Sequence, residues 1–192
     1  IKSEVEKSSS EKVSYCRPLI PDKVTECSRS FMPAFGGTDC IPVGDICPEN
    51  DYSDNLSEYS SSVIYVEEGE SISKALLSAE EGTTLLIGEG VFRETINVDK
   101  KDISIIGLCP EKTVIRPEEV IKTQSDAAIR VLTGQNGGVT TIKNLTLEGA
   151  KAGITIYNDS SAVISGVEIN SVTGAGIILI DNDADVSVSN VY

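Results

Sequence analysis

The chain has 192 residues, enough for one ordinary domain with a small appendage. Its 16 basic and 30 acidic side chains leave a net charge of −14, a surface that repels nucleic acid and anionic membrane and argues against both as partners. With no His and no Trp, the chain lacks the commonest general base and the commonest transition-metal ligand, and an aliphatic core is expected.

Residues 1–14 are Lys, Glu and Ser with little else, a composition that cannot repay the entropy of ordering and predicts a flexible tether. The first residue is Ile rather than Met, so a processed or trimmed form is expected. No apolar run approaches the length of a membrane span. Residues 15–49 are rich in Pro, Gly and Cys and hold no apolar period, which predicts a small loop-rich cap module held by disulfides. Four of the five cysteines fall there, Cys16, Cys27, Cys40 and Cys47, and the fifth is Cys109. Their spacing contains no CxxC, so a disulfide framework in an oxidising compartment, extracellular or at the cell surface, is favoured over zinc. If Cys109 is free the other four allow three connectivities; otherwise Cys109 pairs back to one of them. Residues 50–62 form a polar, Ser-rich linker.

At Val63 the character changes. VIYV is a strand, and Ile72, Ala75, Leu76 and Ala79 fall on one face of a helix over Ser71 to Glu81. Ser71 is its expected N-cap and Gly82 its expected C′ stop. Such a helix would cover the first coil of a solenoid. Then come TTLLIG, GVFRETINV and DISIIG, separated by Gly-rich and charged turns. From Val139 the chain repeats itself. Ile142 to Ile164 is 22 residues, Ile164 to Val188 is 24 and Ile154 to Ile177 is 23. The same spacing extends backward, with Ile105 to Ile129 at 24 and Ile129 to Ile154 at 25. Units of this length, with several short strands and no helix between them, predict an all-β parallel β-helix over 63–192 whose coils begin near Thr83.

The run from Val63 to Ile115 resembles the N-terminal part of the pectin-lyase-like right-handed β-helix superfamily, which includes pectin methylesterases and many secreted β-helix proteins. Gly90, Phe92, Glu94, Ile96 and Val98, then Ile105 and Gly107, occupy its "G-x-Y-x-E-x-I-x-I" and "I-x-G" pattern, and the later GAGIILIDNDADVSVSNV is similar to its generic coils. The resemblance implies a right-handed parallel β-helix over about two thirds of the chain. The matching positions are corners and core, so it implies no particular activity.

Candidate chemistry is sparse. Gln124 to Val131, QSDAAIRV, is loosely similar to the first glutamine segment of pectin methylesterases, but no Gln-Asp segment and no Arg follow Arg130; a rung strand with Ala128 and Ile129 on its core side is the plainer reading. Asp181, Asp183 and Asp185 alternate in DNDAD, the oxygen spacing that opens many calcium loops, so calcium is the one cofactor considered. Val186 stands where such a loop needs Gly, and an acidic corner between coils is the plainer reading of the run. The pairs Glu67/Glu68, Glu80/Glu81 and Glu118/Glu119 are adjacent residues, the wrong geometry for two carboxylates facing across a sugar, and read as a solvated surface. Arg93, Arg116 and Arg130 are candidate uronate contacts in the early coils, though turn and surface roles explain them equally well. The sequons at Asn55, Asn144 and Asn158 matter only in a glycosylating pathway, and Asn144 is expected in a coil corner.

Tyr192 follows a strand inside a repeat with no capping signal before it. The β-helix is therefore expected to continue further, or to use an open end for self-association or for docking a polysaccharide or another protein. Two functions fit these features. One is a secreted or cell-surface β-helix without catalysis, serving adhesion, glycan binding or assembly. The alternative is the N-terminal part of a polysaccharide lyase or carbohydrate esterase acting on uronan or pectin-like chains.

Overall fold

A computed structural model of the chain describes residues 2–6, 12–16, 26–34, 39–48, 62–118, 127–134, 138–180 and 185–192, with side chains from residue 26 onward. Gln124, Asp181, Asp183, Asn55 and Glu119 lie outside the described residues. The chain divides into two compact units, Ile1–Ile41 and Pro42–Tyr192.

In the first unit, β1 (Lys2–Glu6) pairs antiparallel with β2 (Lys12–Cys16), so part of the stretch read as a tether carries strands. The short strands β3 (Phe31–Pro33) and β4 (Cys40–Pro42) form a two-stranded sheet, and the Cys27–Cys40 disulfide closes the segment that contains them.

The second unit is a parallel β-solenoid. It opens with β5 (Val63–Val66) and the helix α1 (Ile72–Ser78), and then winds in rungs. The first rung is β6 (Thr84–Ile87), β7 (Gly90–Phe92) and β8 (Ile96–Val98). The second is β9 (Ser104–Gly107), β10 (Thr113–Ile115) and β11 (Ala127–Val131). In the third, β12 (Val139–Glu148) covers the first two sides by itself and β13 (Ala152–Tyr157) the third. In the fourth, β14 (Ser161–Asn170) and β15 (Ile177–Ile180) do the same, and β16 (Val186–Val191) begins a fifth. Every pairing between rungs is parallel.

Register places like on like. On the first side Ile64, Leu85, Ile105, Ile142, Ile164 and Val188 form one inward column. On the third side Ile96, Ile129, Ile154 and Ile177 form another. Phe92, Ile115, Leu147 and Ile169 line the second side. The columns meet in one aliphatic interior in which Leu85, Ile105, Ile129, Ile142 and Ile164 have no exposed surface. Each such side chain contributes roughly 1.5–3 kcal/mol over its exposed state. The intervals from Ile142 to Ile164 and Val188, and from Ile129 to Ile154 and Ile177, are true rung spacings. The interval from Ile105 to Ile129 is not, because Ile105 lies on the first side and stacks on Ile142, while Ile129 lies on the third and stacks on Ile96. The connection between β10 and β11 is long, so the column on the first side advances 37 residues at that step while mimicking a rung of 24.

The long strands bend at residues in the left-handed region, Asn144 (φ 56°), Gly166 (φ 61°) and Asn190 (φ 48°). They stack in register, since Lys143 pairs Ser165, which pairs Ser189, and Leu145 pairs Val167, which pairs Val191. Asn tolerates this conformation better than most residues and Gly does so without strain. The corner expected at Asn144 is therefore part of a corner column.

Helix α1 covers the first coil with Ile72, Leu76 and Ala79 buried, and the first rung clamps both of its ends. Glu94 turns out of the strand path between β7 and β8, and its carboxylate accepts from Ile72 N–H (2.7 Å), Ser73 N–H (3.1 Å) and Ser71 Oγ (2.9 Å). Lys100, just after β8, donates its Nζ to the carbonyls of Leu77 (2.9 Å) and Ala79 (2.6 Å). A negative group at the N-terminus and a positive one at the C-terminus both oppose the helix dipole favourably. Ser71 is the N-cap, accepting from Lys74 N–H. The helix stops at Ser78, earlier than its apolar spacing suggests, because Ala79 is extended and Lys100 satisfies the terminal carbonyls. Gly82 (φ 80°) serves the following turn instead of capping the helix.

Ile142→Ala, which opens a cavity in the middle of an inward column, should cost about 2–5 kcal/mol in chemical denaturation, whereas Ser165→Ala on the outer side of the adjoining rung should be near neutral. Glu94→Ala should cost about 1–3 kcal/mol by leaving helix N–H groups unmatched; equal stability of the variant and the native chain would refute the clamp.

Candidate functional site

Outward-facing residues of the solenoid divide into a covered region and an open one. Leu86 and Ile106 point away from the interior on the first side of the early rungs, yet both are buried. Together with Val43, Leu108, Cys109 and Val114 they are buried apolar residues that lie outside the interior cluster. On the later rungs the same side carries Thr141, Val163 and Ser187 in one outer column and Lys143, Ser165 and Ser189 in the next, half-buried to exposed.

A strap from Pro42 to Cys47 is fastened to the corner between the first and second sides. Its Val43 is fully buried. Gly44 meets Gly166 backbone to backbone: a Cβ at Gly166 would fall 2.8 Å from the Gly44 Cα, and a Cβ at Gly44 would fall 2.8 Å from Pro110 Cγ. Neither glycine tolerates a side chain without displacement. Asp45 N–H donates to Asn144 Oδ1 (3.2 Å), Asn144 Nδ2 donates to Asp45 Oδ2 (2.6 Å), and Lys143 Nζ lies 3.0 Å from the same oxygen. Burial pushes the Asp45 carboxyl up, but the Asn144 hydrogen bond and the Lys143 ammonium outweigh it and hold it below its ordinary value. The Cys47–Cys109 disulfide completes the fastening. Cys109 therefore pairs back to one of the four earlier cysteines, and Cys47, grouped on sequence with a cap module over 15–49, is bonded within the second unit. The side chain of Cys16 is not among those described.

On the second side an outward row crosses the rungs. Arg116 donates Nε to Glu148 Oε2 (3.0 Å), and its Nη2 contacts the same oxygen. Glu168, 3% exposed, stands over Thr146 and accepts from Asn170 Nδ2 (2.8 Å). The Thr146 hydroxyl, also buried, lies 2.6 Å from the Pro110 carbonyl and 3.4 Å from Glu168 Oε2. Sequence patterns did not single out Glu168 or Thr146. An acidic residue where its strand neighbours Val167 and Ile169 are apolar was the one available sign.

The other candidates lie as follows. Asp185 is exposed, and among the described residues no three His, Cys, Asp or Glu side chains are gathered to hold a metal ion. Ala128 and Ile129 are buried in the interior cluster within β11, so the described part of QSDAAIRV is a rung strand. Glu67, Glu68, Glu80, Glu81 and Glu118 are exposed. Asn144 is buried with its amide engaged by Asp45, whereas Asn158 is exposed in the turn between β13 and β14. Two clefts flank α1. One of 490 Å³ lies against Ile64, Tyr65, Lys74 and Ala75, and one of 290 Å³ against Phe92, Arg93 and the helix-capping Glu94. No helix among the described residues is long and apolar enough to cross a membrane.

Comparison of the chain with protein-family models, with curated proteins and with solved structures gives no match.

Because the Asp45 carboxyl is depressed, its contribution is complete above the ordinary aspartate value and is lost as pH falls through the lower folded value, below about 4. Lys143→Met removes one hydrogen bond and one favourable charge, and should move the Asp45 midpoint upward in a carbon-13 NMR titration; an unchanged midpoint would show that the ammonium does not act on it.

Proposed function

We propose that this chain is a β-solenoid without catalysis, working outside the cytoplasm and holding a neutral polysaccharide surface. The observation that carries this reading is the open outer face of β12, β14 and β16, where Ser165 stacks on Ser189 at the rung spacing, roughly 4.8 Å, and Thr141 and Ser187 flank Val163 in the neighbouring column. Hydroxyls set along one sheet face suit a hydroxyl-bearing polymer laid along the solenoid axis. The net charge of −14 disfavours a polyanionic one.

Two further facts support it. The two disulfides are compatible with an oxidising, extracellular setting. Several described acidic side chains are already engaged by the fold: Glu94 caps a helix, Glu148 pairs with Arg116, Asp45 holds the strap, and Asp102 accepts from Val139 N–H at 2.9 Å.

A lyase or esterase reading draws on one arrangement, the two carboxylates Glu148 and Glu168 on adjacent rungs of one outer side beside Arg116. It accords with the pectin-lyase-like resemblance, and calcium at the DNDAD corner would belong to this reading. Incubation with neutral glycans, pectin and alginate, with and without calcium, separates the two. Saturable binding to a neutral glycan without turnover is expected, weakened at least about tenfold, or 1.4 kcal/mol, by Ser165→Arg. Unsaturated products or released methanol would overturn the proposal in favour of the enzyme. Binding only to another protein would overturn the choice of ligand.

A further inference from the structure

We infer that the Cys47–Cys109 disulfide is a redox latch for the strap, and that the solenoid keeps its fold when the latch opens. None of Val43, Asp45, Cys47 and Cys109 belongs to the interior cluster, whose columns run from rung to rung without them. The strap is therefore an addition to a structure complete beneath it.

Its noncovalent hold is slight. One buried valine, two hydrogen bonds between Asp45 and Asn144 and one ion pair, with Lys143 and Asp45 side chains 41% and 62% exposed, stand against the entropy of ordering six residues. The glycine contact at Gly44 and Gly166 sets position but buries no side chain. The covalent bond decides whether the strap stays closed.

The bond is also open to attack from one direction. Cys47 is half-buried and Cys109 is fully buried. A thiolate of an external dithiol attacks Cys47 Sγ, the sulfur–sulfur bond breaks, and its electron pair passes to Cys109 Sγ, which takes a proton. The second thiolate of the same dithiol then attacks its own sulfur in the mixed disulfide, releasing the Cys47 thiol and leaving the reagent oxidised. Opening uncovers Pro110, Asn144 and Gly166 at the corner.

Amide hydrogen exchange on the full chain tests this in two forms. One is the Cys47→Ser/Cys109→Ser double variant, which retains Cys27–Cys40; the other is the native chain treated with dithiothreitol. In both, the Asp45 N–H should exchange at least about tenfold faster than in the oxidised chain, while Ile142 and Ile164 keep their protection. Retained protection at Asp45 would show that the polar clasp closes the strap without the disulfide. Parallel loss at Ile142 and Ile164 would show that the bond is a staple of the fold. Either result overturns the latch.

Discussion

Everything in the second unit depends on parallel hydrogen bonding between rungs in register. A rung by itself satisfies few of its backbone groups and buries little apolar surface; stacked, it offers the next rung both a ladder of partners and a row of side chains of the same shape. Ile105, Ile142 and Ile164 lie over one another because the pairing puts them there. They make the pairing worthwhile because a one-residue slip would turn each of them to the outside. The left-handed corner residues Asn144, Gly166 and Asn190 preserve this register through the bends.

Polar groups then act as fasteners between pieces that the ladder does not join. Glu94 and Lys100 hold a helix against the first coil, one at each end. Asp102 takes the first N–H of β12, with Gly138 leaving room for its carboxylate. Asp45 binds the strap to a corner 99 residues further along the chain. Each of these interactions is charge-assisted, and each spans at least one full rung of sequence. The acidic composition thus has an internal use as well as a surface one.

What could be read from the sequence follows the length of the turns. Where successive connections are nearly equal, as between Ile142, Ile164 and Val188, periodicity and register coincide. Where the β10 to β11 connection lengthens, Ile105 and Ile129 share the period by coincidence while lying on different sides. The apolar face of α1 was legible, but not its end, because Lys100 closes it from another rung. Glu94 stood out as part of a pattern without a visible task; its task lies 22 residues upstream. Of the strap only its covalent tie was legible, as the alternative in which Cys109 pairs back to an earlier cysteine; a Gly44 that must face Gly166 looks like any glycine in a loop.

The strap also carries a consequence for biosynthesis. Cys47 leaves the ribosome 62 residues before Cys109, and Asp45 leaves 99 residues before Asn144. Through that interval the thiol of Cys47 has neither its partner nor its seat, while Cys27 and Cys40, 13 residues apart, already have each other. Early closure of the Cys27–Cys40 loop protects the later pairing by removing the nearest competitors. Once that loop is closed, neither Cys27 nor Cys40 competes for Cys47.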